Sequence, residues 1–75
     1  MNDYIREKLD RLISDSLIPD RLIAEEDLAE ARGYLGGLLE GGAISPAEFT
    51  EFHHQVLAAQ REVRRRMMEK VGIAA

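Results

Sequence analysis

The chain has 75 residues, ten basic and fourteen acidic side chains for a net charge of −4, and no cysteine. That length allows one domain with a thin core. The lack of cysteine excludes a disulfide framework and thiolate metal sites, which leaves packed helices or association with another chain as the sources of stability.

Charge is unevenly spread. Residues 1–58 hold five basic and twelve acidic groups (net −7), whereas residues 59–75 hold five basic and two acidic ones (net +3). An acidic body with a basic end argues against a phosphate-binding surface over the whole domain, though not against a local one. The opening MNDYIREKLD lacks the charged start and apolar centre of a secretion signal, and no run approaches the length of a membrane span. A soluble cytoplasmic protein is therefore expected.

Ile5, Leu9, Leu12, Ile13 and Ser16 recur at helical spacing, which predicts helix 1 over about residues 3–17. Pro19 lacks an amide hydrogen and biases Ile18 towards extended backbone, so the helix should stop or kink there, and Pro19 also suits the first turn of a following helix. The tetrapeptide DRLI occurs at residues 10–13 and again at 20–23, which reads as two charged-then-apolar helical turns.

Helix 2 is predicted over about residues 20–40, with a start near Ala24 as the alternative; its stripe is Ala24, Leu28, Ala31, Leu35, Leu38 and Leu39. Gly41 and Gly42 mark its end, since glycine adopts the left-handed terminal conformation without steric cost. Gly33, Gly36 and Gly37 lie within the helical pattern, where each costs about 1 kcal/mol relative to alanine. With Ala29 they fall away from the leucine stripe. Such a bare face lets another helix approach closely; the competing reading is a helix broken around GYLGG.

The strongest local signal is ISPAEF at residues 44–49. Ser45 and Glu48 form a capping box, Pro46 occupies the first helical position, and Ile44 can staple to Phe49. Helix 3 is thus predicted over about residues 46–71, with Gly72 as its stop, antiparallel to helix 2 across a short link. Its stripe is Phe49, Phe52, His53, Val56, Gln60, Val63 and Met67. His53 and Gln60 on an otherwise apolar face call for partners, and a hydrogen bond fixing register across an interface is expected.

The chemical candidates are few. Glu51 and His54 form Glu-x-x-His, a spacing used in carboxylate-bridged metal bundles, but both lie off the apolar stripe, as do Glu26 and Glu30 on helix 2. Ser14, Ser16 and Ser45 have no evident histidine and acid beside them, so no catalytic residue and no cofactor are assigned. Arg61, Arg64, Arg65 and Arg66, with Lys70, form one basic cluster that could contact an anionic partner or nucleic acid. No aromatic residue lies among them to stack on bases.

The run LGGLLEGGAISPAEFTEFHHQVL, residues 35–57, resembles the SHOCT (short C-terminal) helical hairpin through Leu35, Leu38, Leu39, Gly42, Ile44, Ser45, Glu48, Phe49 and Leu57. The resemblance implies a role in oligomerisation or protein interaction without enzymatic activity.

Together these readings describe an all-α protein with a long hairpin of helices 2 and 3 and an N-terminal helix, dimerising into a helical bundle. The expected function is a small non-enzymatic interaction module, a regulator or inhibitor of a protein partner. Its interface is assigned to Leu28, Leu35, Leu38, Phe49, Phe52, His53, Val56, Gln60, Val63 and Met67, and a close-packing face to Ala29, Gly33, Gly36 and Gly37. Nucleic-acid binding through the arginines and metal binding through carboxylate and histidine are the alternatives.

Overall fold

The computed structural model describes residues 1–19 and 21–74, with side chains described through Lys70. It consists of α1 (Asp3–Ser16), α2 (Ala24–Glu40) and α3 (Pro46–Ala74). The Met1 ammonium meets Glu48 near the start of α3, while the Leu17 carbonyl meets Arg66 far along it, so α1 runs parallel to α3. Glu25 at the start of α2 meets Arg64, which makes α2 antiparallel to α3. The result is an up-down-up bundle, a rod with extents of 47 × 18 × 14 Å. No described helix is long and apolar enough to cross a membrane.

Each boundary has a local cause. The Asn2 side chain accepts the Ile5 amide at 2.9 Å and caps α1. At the corner after α2, the Ala43 amide donates to the Leu38 carbonyl and the Gly42 amide to the Leu39 carbonyl, with Gly42 at φ +75°. This is the Schellman arrangement that satisfies the last carbonyls of a helix. The capping box then starts α3: the Glu48 amide donates to Ser45 Oγ at 3.1 Å and the Ser45 amide to Glu48 Oε1 at 2.9 Å. Ile44 is buried and Phe49 half-buried against the same core, the placement a staple requires.

At two boundaries the structure departs from the first expectation. α2 begins at Ala24, the alternative start, so Pro19 lies in a turn, not in the first turn of a helix; Asp20 is outside the described residues. The cause is a tight turn closed by the Arg21 amide on the Ile18 carbonyl, with the Arg21 guanidinium reaching forward to Asp27. DRLI is therefore helical at its first occurrence, and its described residues precede the helix at its second. α3 passes through Gly72 and ends at Ala74. Glycine ends a helix when the chain folds back over it, and its intrinsic cost of about 1 kcal/mol does not by itself stop propagation.

The core draws on every helix: Ile5 and Leu9 from α1; Ala24, Leu28, Ala31 and Leu35 from α2; Phe52, Val56, Ala59 and Val63 from α3; and Ile44 from the corner. α1 thus lies across its own hairpin and covers both apolar stripes within one chain. α2 is continuous through Gly33, Gly36 and Gly37, which overturns the broken-helix reading.

A β-carbon built at Gly33, Gly36 or Gly37 meets nothing within 4 Å. Gly33→Ala and Gly37→Ala should each stabilise the isolated chain by about 1 kcal/mol, raising the melting temperature by about 4–8 °C. Gly42→Ala should destabilise it by about 1–2 kcal/mol, because φ is positive there. Thermal melts of the three variants check both signs.

Candidate interaction surface

Because α1 covers the hairpin, most of the expected interface lies inside the chain. Leu28, Leu35, Phe52, Val56 and Val63 are buried in its own core, and Leu38 and Phe49 are half-buried at its edge. A dimer cannot use the first five without opening the bundle. Of the apolar interface set, Met67 stays mostly in water, at 54% exposed.

Within the chain, His53 and Gln60 make no side-chain hydrogen bond among the described residues. Both are half-exposed, so water can satisfy them and no buried partner is demanded. His53 instead stacks on Phe49 one turn earlier, with ring centroids 5.3 Å apart and planes inclined by 12°. On the opposite side of the hairpin, Ala29, Gly33 and Gly37 are exposed and Gly36 half-exposed, with no described element packed over the glycines.

The basic cluster is largely engaged by the chain itself. Arg65 donates to Glu62 from Nε and Nη2, and to Glu69 from Nη1 at 2.6 Å. Arg66 donates from Nε to Glu62 at 3.0 Å and from Nη1 to the Leu17 carbonyl at 2.7 Å. Arg64 lies 3.6 Å from Glu25. Arg61 is exposed, with no ion pair among the described residues. An arginine paired to a neighbouring carboxylate has to break that pair before gripping phosphate, so this placement weakens the nucleic-acid alternative. Glu51 and His54 are both exposed, and no group of three metal-ligating side chains gathers among the described residues.

Two carboxylates are held well below their ordinary range, Glu62 by arginines of its own helix and Glu48 across the seam to the N-terminus. The hydrogen bond from Arg65, reinforced by Arg66, pulls the pKa of Glu62 down to about 2 against a partial opposing effect of desolvation. Glu48 is also lowered to about 2, first by the hydrogen bond from the Met1 ammonium and then by the Ser45 amide. Arg21 is raised by its hydrogen bond to Asp27, which it grips through Nε at 2.7 Å and Nη2 at 3.2 Å. Two further cations sit on aromatic faces, Arg6 over Phe52 at 5.3 Å and Lys8 over Tyr34 at 4.5 Å.

Of the exposed large apolar side chains among the described residues, Tyr4 lies at the start of α1 and the others lie towards the opposite end. The turn after α1 exposes Ile18, Leu22 (99%) and Ile23, and α3 exposes Met67 and Met68 (69%). Ile18 and Met67 line one cleft, floored by Ala24 and Val63. A second, larger groove of about 400 Å³ runs between α1 and α3, lined by Ile13, Leu17, Ala58 and Ala59 with Gln55 and Glu62 beside them. Arg66 borders both, so its guanidinium separates two sections of one apolar track. Sequence reasoning missed this track because Ile13 was read into the helix 1 stripe, Ile18 only as the residue before Pro19, and Leu22 into helix 2. Compared with known protein families, curated proteins and solved structures, the chain matches none.

The two depressed carboxylates contribute to the pH dependence of stability. A group held below its unfolded value contributes stability above about pH 4.5, and that contribution is lost as pH falls towards about 2. Glu48→Gln and Glu62→Gln should each lower the melting temperature at pH 7 and flatten its fall between pH 5 and pH 2, with the gap from the parent chain closing at the acid end. Melts across that range read this directly; parallel curves for parent and variants would contradict it.

Proposed function

We propose that this chain is a small non-enzymatic interaction module whose immediate partner is a second copy of itself. The observation that carries the reading is the group of uncovered apolar side chains, Ile18, Leu22, Ile23, Met67 and Met68, at the end where α3 outlasts its companions. Beyond Arg66, which sits against the end of α1, α3 continues to Ala74, about two turns or roughly 12 Å. A bundle of this size gains by covering such a surface, since scattered apolar exposure is ordinary but a concentrated patch marks a contact site.

One further feature supports self-association. The likeness of residues 35–57 to the SHOCT hairpin carries the same implication of oligomerisation. A module that pairs in this way can regulate a protein partner by presenting or withholding the same end.

Sedimentation equilibrium on the full chain tests the reading. A monomer of 8.5 kDa should give way to a species of twice that mass at concentrations on the order of 100 μM, in the range of small, reversible interfaces. Leu22→Asp and Met67→Asp, both at exposed positions, should abolish the larger species while leaving helix content unchanged. A parent chain that remains monomeric throughout would overturn the proposal.

A further inference from the structure

We infer that two copies associate through antiparallel α3 helices, the distal end of each lying in the groove between α1 and α3 of the other, centred near residue 64. The inference rests on the self-association proposed above and names its surface and register.

The groove is open and apolar, and its α3 wall carries small residues, Ala58 and Ala59, that allow a helix to approach closely. That wall extends from Gln55 to Arg66. A twofold axis beside residue 64 lays residues 62–73 of one copy along residues 55–66 of the other. Each copy offers both such a groove and such an end, which is what a closed, self-complementary dimer needs.

Charge selects the direction and the register. Glu62 and Arg66 stand one turn apart on the groove side of α3, equidistant from residue 64. An antiparallel neighbour centred there brings each Glu62 opposite the other copy's Arg66, twice over. A parallel neighbour in register brings Glu62 to Glu62 and Arg66 to Arg66. Arg66 retains a donor for this purpose: Nε is on Glu62 and Nη1 on the Leu17 carbonyl, while Nη2 makes no hydrogen bond among the described residues. The four groups would close into one alternating ring of charge at the twofold axis.

Mixing two charge-reversed variants separates this arrangement from a merely intramolecular pair. Glu62→Arg and Arg66→Glu each place like charges opposite one another in their own homodimers, and each should weaken self-association at least tenfold. In the mixed pair, positions 62 and 66 are both positive on one copy and both negative on the other, so each faces an opposite charge. Heterodimers should therefore form within about threefold of the parent affinity. The intrachain pair is broken equally in both variants and is not repaired by mixing, so recovery reports contact between copies. Absence of recovery while both variants keep parent helix content overturns the register.

A second measurement does not depend on those variants. The chain has no cysteine, so single spin labels can be placed at Arg61→Cys or Ala47→Cys. From a rise of 1.5 Å per residue, the interlabel distance should be under about 25 Å at position 61 and beyond about 45 Å at position 47. Short distances at both positions would establish a parallel pair and overturn the antiparallel one. A parent chain that stays monomeric defeats the functional reading itself, whereas a dimer with the wrong distances defeats this geometry alone.

Discussion

Leu9, Leu28, Leu35, Phe52 and Val56 lose essentially all contact with water, and they come from three different helices. In a chain this short there is room for one such layer and no second one to fall back on. Each fully buried side chain of this kind contributes about 1.5–3 kcal/mol of transfer free energy, so truncating any of them removes a large part of a small margin. α1 is the element that makes the layer possible. Without it the stripes of α2 and α3 would meet each other along one edge and leave the other in water, and the hairpin would need a second chain to close it. With α1 in place the apolar demand of the hairpin is met at home, and what is left for a partner is the margin of the bundle.

The placement of α1 also explains where the charges go. Its carboxyl end leaves carbonyls that need donors, and α3 passes close enough for Arg66 to supply one at Leu17. Glu62 then holds Arg65 and Arg66 in place, and Glu69 holds Arg65 from the next turn. Exposed pairs of this kind contribute about 0.2–1 kcal/mol each, which is small beside the buried layer. Their effect is directional: they fix how far along α3 the end of α1 sits, as the Met1–Glu48 pair does at the other end. Register along the rod is therefore set by polar contacts at two ends and depth by the apolar layer between them.

This division decides how much could be read before coordinates. The corner between α2 and α3 was legible residue by residue, because the glycine turn and the capping box act within five or six positions and each has one stereochemical meaning. The stripes of α2 and α3 were legible because burial on one face imposes the 3.6-residue period. The segment 18–23 was not, since the same DRLI letters suit a helix or a turn, and Arg21 reaching Asp27 settles the matter through a contact that periodicity does not encode. The basic cluster was legible as a composition but not as a seam, because its link to Leu17 spans 49 positions in sequence. The stripes were assigned to an interface between chains, whereas most of their residues are buried within one, for a related reason: period tells which face is buried, and not against whom.

Among the described residues, two of the uncovered surfaces are worth comparing, and they are not equivalent. The glycine face of α2 offers close approach, but Gly33, Gly36 and Gly37 bring no side chain to bury, and hydrophobic association scales with the apolar area removed from water. The track from Ile13 and Leu17 past Arg66 to Ile18 and Met67 supplies that area, and it does so beside groups that can discriminate one orientation from another. Apolar area gives affinity without direction, whereas Glu62 and Arg66 give direction with little affinity of their own. Specific pairing needs both within reach of one helix, and on this molecule they coincide on the groove side of α3.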